Sequence, residues 1–343
     1  MNILVTGGAG YIGSHAVQRL LKEGHTVVAL DNLYRGHRTA IQRLGWHTSA
    51  CPLTFIEADI CDRPRVADAV RDHGIDTVMH FAALAYVGES VDQPLRYYRN
   101  NVDGLLSVLE ACDAGKVQRF VFSSSCSTYG EPPPEMIPIP ENCPQHPVSP
   151  YGRTKLMGEH IIKDYAQARR VANKPFAYAL LRYFNVAGCD RSGVLGEDHT
   201  PETHLVPVVL QAALGQRPHI GIFGTDYPTP DGTCIRDYVH VEDLVDAHVL
   251  AMNKLGPGEG LCYNVGIGRG YSVREIIDTA RRVTGRDIKV VEQPRRPGDP
   301  PMAFANPARI NNDLGWRAQV TELQEIIGSA WAWMLKHPKG YQS

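Results

Sequence analysis

Residues 3–5, Ile-Leu-Val, run directly into a turn carrying Gly7, Gly8, Gly10 and Gly13, and no other stretch limits the fold as strongly. An apolar strand that ends in glycines and gives way to a helix brings backbone N–H groups up to a phosphate. Glycine lacks the Cβ that would hold the anion off, and the helix start adds donors and the positive end of its dipole. Two spacings fit at once: Gly8, Gly10 and Gly13 read as G-x-G-x-x-G, and Gly7, Gly10 and Gly13 as G-x-x-G-x-x-G. In both, Tyr11, Ile12 and Gly13 lie where the helix would meet the anion. Taken alone, the glycines suit a tight structural turn as well.

Short apolar runs recur at 26–30, 54–56, 77–81 and 119–122, separated by helical patterns that begin near Gly13, Arg63, Pro94 and Leu105. Runs that are apolar throughout, not alternating, fit strands buried on both faces of a parallel sheet. The expected class is α/β, a Rossmann-type doubly wound parallel sheet with a smaller C-terminal α/β substrate domain. The first domain is expected at 1–185, with part of 237–266 returning to it, and the smaller one at 186–343. The proline-rich loop 130–152 is too long for an ordinary connection.

Composition removes several classes. A formal net charge of -2 argues against a nucleic-acid surface. Nothing approaches a membrane-spanning apolar stretch. The eight cysteines show no C-x-x-C spacing, Cys51 and Cys61 being the nearest pair, and the 14 histidines include no H-E-x-x-H. No metal site is therefore expected, and the chain reads as a reduced, cytoplasmic protein.

The second run ends in Asp31-Asn32. An acid there accepts from both adenosine ribose hydroxyls and repels a 2′-phosphate, so it reads as NAD and not NADP; the alternative is a solvated strand end or helix cap. Asp59-Ile60 and Phe81-Ala82-Ala83 follow the next two runs, where an open α/β sheet binds ligands. The chemistry is expected at Ser123-Ser124-Ser125-Cys126-Ser127 and at Tyr151 and Lys155, four apart on one helix face. An ammonium beside a phenol favours phenolate, lowering a pKa of about 10. Tyr151 is thus the candidate general base, Ser125 a hydrogen-bonding partner for the same substrate oxygen, and Lys155 a second contact for the cofactor. Y-x-x-x-K alone is common. The order of glycine turn, acidic second strand, serine-rich strand end and Y-x-x-x-K is not, and it makes G-x-x-G-x-x-G the informative spacing.

With these residues in place the chain resembles the extended short-chain dehydrogenase/reductase family and, within it, the UDP-glucose 4-epimerases. The likeness runs through VTGGAGYIGSH, HFAALAYVGES, YYRNNVDG, FSSSCSTYG, SPYGRTKLMGE, LRYFNVAG, IFGTDYPTPDGTCIRDYVHV and HPKGY. It implies a UDP-sugar substrate, resident NAD, and 4-epimerisation by transient oxidation at C4 followed by ring rotation. It also implies roles for particular residues. Asn100, Tyr183 and Phe184 would lie by the cofactor, with Ser123. Ser127 and Asn185 would touch the substrate. His204 and Leu205 would sit near the diphosphate and uracil, and Phe223 would stack by uracil. Arg236 and Arg296 would clamp the diphosphate, and Asp299 would receive the ribose. Read alone, Arg236 could equally pair with Asp237, and Arg296 could belong to a solvated basic run with Arg295.

Some relatives carry lysine at the position of Ala85 and asparagine at that of His204, and HFAALAYVGES also resembles UDP-pentose epimerases. Ala303 stands where a tyrosine would exclude a 2-acetamido group. The resemblance therefore leaves UDP-glucose/UDP-galactose, their N-acetylated counterparts and UDP-pentoses as candidates. A 4,6-dehydratase needs an Asp-Glu pair where Cys126 and Ser127 stand, and an NAD-sensing protein has no need of Tyr151 and Lys155. Residues 94–114 and the helix after Tyr151 are expected to pair across a two-fold as a homodimer, or to face their own sheet.

Overall fold

The computed structural model describes residues 1–45, 52–296 and 298–342. Cys51, and Pro297 of the turn at 295–301, lie outside the described residues. Five strands follow the predicted runs, β1 (Asn2–Thr6), β2 (Thr26–Asp31), β3 (Leu53–Glu57), β4 (Thr77–His80) and β5 (Arg119–Ser125), and a sixth, β6 (Ala177–Tyr183), joins them. With the strand Gly260–Val265 at one edge they form a seven-stranded sheet, in which β6, β5, β4, β1, β2 and β3 follow in that order. The β1–β2, β1–β4, β2–β3 and β4–β5 pairings are parallel. The sheet is thus a doubly wound Rossmann-type α/β sheet. Leu4, Val28, Val78, Phe120 and Leu180 from the strands share one core with Val66, Val70, Leu105, Val108, Leu109 and Ile162 from helices. The helices Arg63–Asp72 and Gly104–Gly115 approach closely there, since a Cβ on Gly115 would lie 2.3 Å from Val70 Cγ1.

The chain divides into two compact units. The first comprises Met1–Thr128, Pro147–Arg182 and Val245–Tyr263; the second comprises Tyr129–His146, Tyr183–Leu244 and Asn264–Ser343. This differs from an unbroken stretch 1–185, because 129–146 packs with the second unit. Hydrogen bonds are the cause: Ile139 N–H donates to Phe304 O, Asn264 Nδ2 to Ile139 O, and Tyr129 Oη to Asn264 Oδ1. The second unit is built from short strands. Asn185–Ala187 pairs with Tyr238–His240, Ile220–Phe223 with Val290–Gln293, and Ile235–Arg236 lies between Tyr271–Ser272 and Met302–Ala303. Among the described residues no helix is long and apolar enough to cross a membrane.

Candidate active site

In the first unit β1 ends in a turn with Gly7 at φ +71°, a conformation glycine adopts without penalty. Gly7 N–H donates to Leu30 O at 2.8 Å, binding the turn to β2. A Cβ on Gly13 would lie 2.0 Å from Gly7 O, and one on Gly7 would lie 2.7 Å from Ala82 N. The first and third glycines of G-x-x-G-x-x-G therefore pack on each other, and Ala82 closes the turn from β4. Gly10 caps the helix Tyr11–Lys22 with no side-chain hydrogen bond, and a Cβ there would meet only Gly7 O, at 3.3 Å. The result is an open backbone cradle at a helix N-terminus, which suits a pyrophosphate.

Asp31 is not a solvated strand end. It is buried, its Oδ2 accepting from Ala9 N–H at 3.0 Å and its Oδ1 from Leu33 N–H at 2.8 Å. Burial raises its pKa, against the N–H groups of Leu33, Ala9 and Gly10. Asn32 Nδ2 donates to Asp59 Oδ2 at 2.8 Å, joining the ends of β2 and β3. The Ile60 side chain is core, packed where Gly104 lacks a Cβ, so only its backbone is offered to a ligand. Phe81 and Ala83 flank Ala82 at the end of β4 and are partly exposed. These features fit the adenosine and pyrophosphate half of NAD.

The helix Pro150–Val171 starts sharply, with Pro150 in its first turn and Ser149 Oγ accepting from Gly152 N–H at 3.1 Å. A Cβ on Gly152 would lie 2.5 Å from Ser127 O, so the helix start is pressed onto the turn after β5. Tyr151 is buried against Leu84 and Tyr97. Lys155 Nζ lies 5.9 Å from the Tyr151 ring centroid and donates to Ser123 O at 2.7 Å. Burial lowers the Lys155 pKa to about 7. Ser125 Oγ accepts from Ser127 N–H at 3.1 Å, which leaves its own O–H to donate. One turn beyond Lys155, Glu159 takes Arg182 Nε at 2.8 Å, Arg182 Nη2 at 2.6 Å and Ser124 Oγ at 2.6 Å, all buried.

Asn100, expected by the cofactor, is partly buried and donates to Asn101 Oδ1 at 2.9 Å. The buried neighbour Asn101 holds more. Its Oδ1 accepts from Leu84 N–H at 2.8 Å, and its Nδ2 donates to Leu84 O and to Thr154 Oγ1, both at 3.0 Å. Thr154 Oγ1 in turn donates to Tyr151 O at 2.8 Å. Asn101, within a π-helical turn at Arg99–Asp103, thus ties the loop after β4 to the helix that carries Tyr151. Asn101 and Glu159 were missed because a polar residue gives no sign in sequence of whether it is buried.

In the second unit Arg236 Nη2 donates to Asp299 Oδ1 at 3.2 Å. Asp237 does not pair with it; buried, it accepts from Ile267, Gly268 and Ala305 N–H groups. Nor is Arg296 only part of a solvated run, since its guanidinium lies 3.8 Å from the Phe223 ring centroid. Ala303 is buried beside Arg236 in paired strands. Asn185 N–H donates to Asp237 O at 3.0 Å and Phe184 N–H to Val265 O at 3.3 Å, fixing the stretch that follows Tyr183. His204 caps the helix Leu205–Ala213. Its Nδ1 lies 2.9 Å from Glu197 Oε1 and 3.1 Å from Glu202 Oε1, and its ring centroid lies 5.1 Å from that of His199. Two of the histidines thus meet two glutamates, and the spacing E-x-H-x-x-E-x-H at 197–204 was the missed signal.

The NAD dependent epimerase/dehydratase family matches residues 3–266. The chain belongs to that family. NAD is accordingly the cofactor of this epimerase/dehydratase. A probable UDP-arabinose 4-epimerase from Oryza sativa subsp. japonica is 48% identical, covering 99% of this chain and 81% of the relative. A UDP-glucose 4-epimerase from Lactobacillus helveticus is 46% identical, covering 100% and 99%. Among solved structures, a UDP-glucose-4-epimerase from Stenotrophomonas maltophila with bound NAD and formylated UDP-arabinopyranose superposes with a TM-score of 0.91 at 39% identity, covering 99% of both chains.

Proposed function

We propose that this family member interconverts the 4-epimers of a UDP-hexose, UDP-glucose and UDP-galactose first, with NAD held by the first unit and the UDP-sugar by the second. The observation that carries the reading is the buried Tyr151–Lys155 pair on one helix face, pressed against the serine-rich end of β5 in a chain whose next residues are Cys126 and Ser127. Bound NAD supplies a reversible two-electron oxidation at the sugar C4. Tyr151, as phenolate, takes the proton of the 4-hydroxyl and returns it after the ring has turned. Lys155 favours the phenolate and is held by Ser123 O. Ser125 donates to the same sugar oxygen. Arg236 and Arg296 present guanidinium forks suited to a diphosphate, and Asp299 accepts from the ribose. Neither Cys126 nor Ser127 can do the acid/base work of a 4,6-elimination, which disfavours a dehydratase.

A UDP-pentose is the second reading, favoured by the rice relative's name and by the sugar nucleotide in the Stenotrophomonas structure. Ala303 extends the first reading to N-acetylated UDP-hexoses, because its single methyl is far smaller than the tyrosine that would exclude a 2-acetamido group. Val91, Leu95, Leu106 and Met157 are exposed on the helices after β4 and on Pro150–Val171, which supports a homodimer through these faces. Free thiols at Cys61, Cys112, Cys126, Cys143, Cys189, Cys234 and Cys262 support a cytoplasmic setting. The deciding experiment is a panel of UDP-sugars with products identified by NMR. Formation of UDP-galactose from UDP-glucose supports the first reading. Turnover confined to UDP-arabinose and UDP-xylose moves the assignment to the second. Net accumulation of NADH without any 4-epimer overturns both.

A further inference from the structure

Outside the catalytic residues, Glu197, His199, Glu202 and His204 each offer one ligand atom, and all four atoms lie within 4.8 Å of one another. They stand on the loop between the strand Asn185–Ala187 and the helix Leu205–Ala213. His204 Nδ1 lies 2.9 Å from Glu197 Oε1 and 3.1 Å from Glu202 Oε1. His199 Nδ1 lies 3.4 Å from Glu197 Oε1 and 3.3 Å from Glu202 Oε2. Ligands at roughly 2.0–2.1 Å from a tetrahedral zinc ion are separated by about 3.3 Å along each edge; Glu197 Oε1 lies at such distances from both imidazole Nδ1 atoms, and Glu202 offers one oxygen at such a distance to each.

A second observation points the same way. Glu197 Oε1 is buried, and among the described residues no hydrogen-bond donor is aligned on it, although both imidazoles are close. A buried carboxylate oxygen left in that state is costly, and a cation at the centre of the four atoms would satisfy it. Glu202 is already oriented for the task, its Oε1 accepting from Thr203 N–H at 2.7 Å and His204 N–H at 2.8 Å. Such outer bonds hold a ligating carboxylate in place.

The geometry points to a divalent metal site of the zinc type, closed by Glu197, His199, Glu202 and His204. Two imidazoles and two carboxylates are a donor set that zinc accepts, and four protein ligands with no open position make the site structural and not catalytic. The ion would pin the loop at 197–204 and set the ring of His204 at the start of the helix Leu205–Ala213. The rival state of the same residues is a metal-free cluster in which two imidazolium groups face two carboxylates, and the two states are separable in solution.

The test uses full-length protein with any affinity tag removed. Zinc content is measured by plasma mass spectrometry, then chelator-treated protein is titrated with zinc chloride near neutral pH. One zinc per chain, with affinity at least about 100-fold weaker in Glu197→Gln and His199→Ala, is the expected result. Cobalt(II) added to chelator-treated wild-type protein gives an independent reading that needs no variant to fold: intense visible d–d bands mark four-coordinate tetrahedral cobalt. Absence of saturable zinc binding, or the weak spectrum of octahedral cobalt in the wild-type protein, overturns the site and leaves the charge-paired cluster.

Discussion

Replacing Glu159 by glutamine tests how the catalytic helix is held. Glu159 Oε1 accepts from Arg182 Nε at 2.8 Å and Ser124 Oγ at 2.6 Å, and Oε2 accepts from Arg182 Nη2 at 2.6 Å. A glutamine keeps the shape but turns one oxygen into an amide nitrogen. With its carbonyl at the Oε1 position, it keeps two bonds and sets an N–H against the Arg182 fork. One charge-assisted hydrogen bond worth about 1.5–3 kcal/mol is lost, and a buried guanidinium is left without its counter-charge. Breaking a buried pair from one side costs about 3–5 kcal/mol in comparable settings, and that is the loss expected here.

Urea denaturation of wild type, Glu159→Gln, Arg182→Met and Glu159→Leu/Arg182→Met measures it. The double variant should recover most of the loss, since an apolar pair needs no desolvation of charge. The pH dependence has a definite sign. Burial works to raise the Glu159 pKa, but Arg182, Ser124 and Lys163 outweigh it and hold it below the ordinary glutamate value. The carboxylate's contribution is therefore fully present above the unfolded pKa of about 4.3 and fades as the pH falls through the lower folded value. The gap between wild type and Glu159→Gln should be flat near neutrality and shrink in acid. A loss under about 1 kcal/mol, or a double variant no more stable than Glu159→Gln, would refute the argument.

Tyr151→Phe should lower turnover by at least about 10², on the scale of general-base catalysis, while acid-extracted NAD stays at the wild-type level; near-wild-type turnover would remove Tyr151 from its role. Gly13→Ala places a Cβ 2.0 Å from Gly7 O, so the turn must move, and both retained NAD and stability should fall, the latter by about 1–3 kcal/mol. An unchanged NAD content would show that this turn does not bind the dinucleotide. Ala303→Tyr should abolish conversion of UDP-GlcNAc and spare that of UDP-glucose, because a clash discriminates more steeply than a lost contact. Equal loss of both activities would show a packing role only.

Much of the first unit was legible from the chain alone. Strands buried on both faces must be apolar throughout, and a phosphate turn must be glycine, so β1, β2, β4 and β5 and the Gly7–Gly13 turn are written in residue type and order. Tyr151 and Lys155 were legible for a related reason, since four residues along a helix is one face wherever the helix lies. Tertiary structure alone decided what side chains of ambiguous meaning do. Arg236 pairs with Asp299 and not Asp237, because Asp237 is taken up by three backbone N–H groups. Residues 129–146 join the second unit through hydrogen bonds to Phe304 and Asn264. Asn101 and Glu159 become anchors, and Glu197, His199, Glu202 and His204 converge, only once the backbone is folded. Periodicity records which side of an element faces the core. It carries nothing about which distant polar groups will meet there, and that depends on loop paths and on the hydrogen bonds that burial makes obligatory.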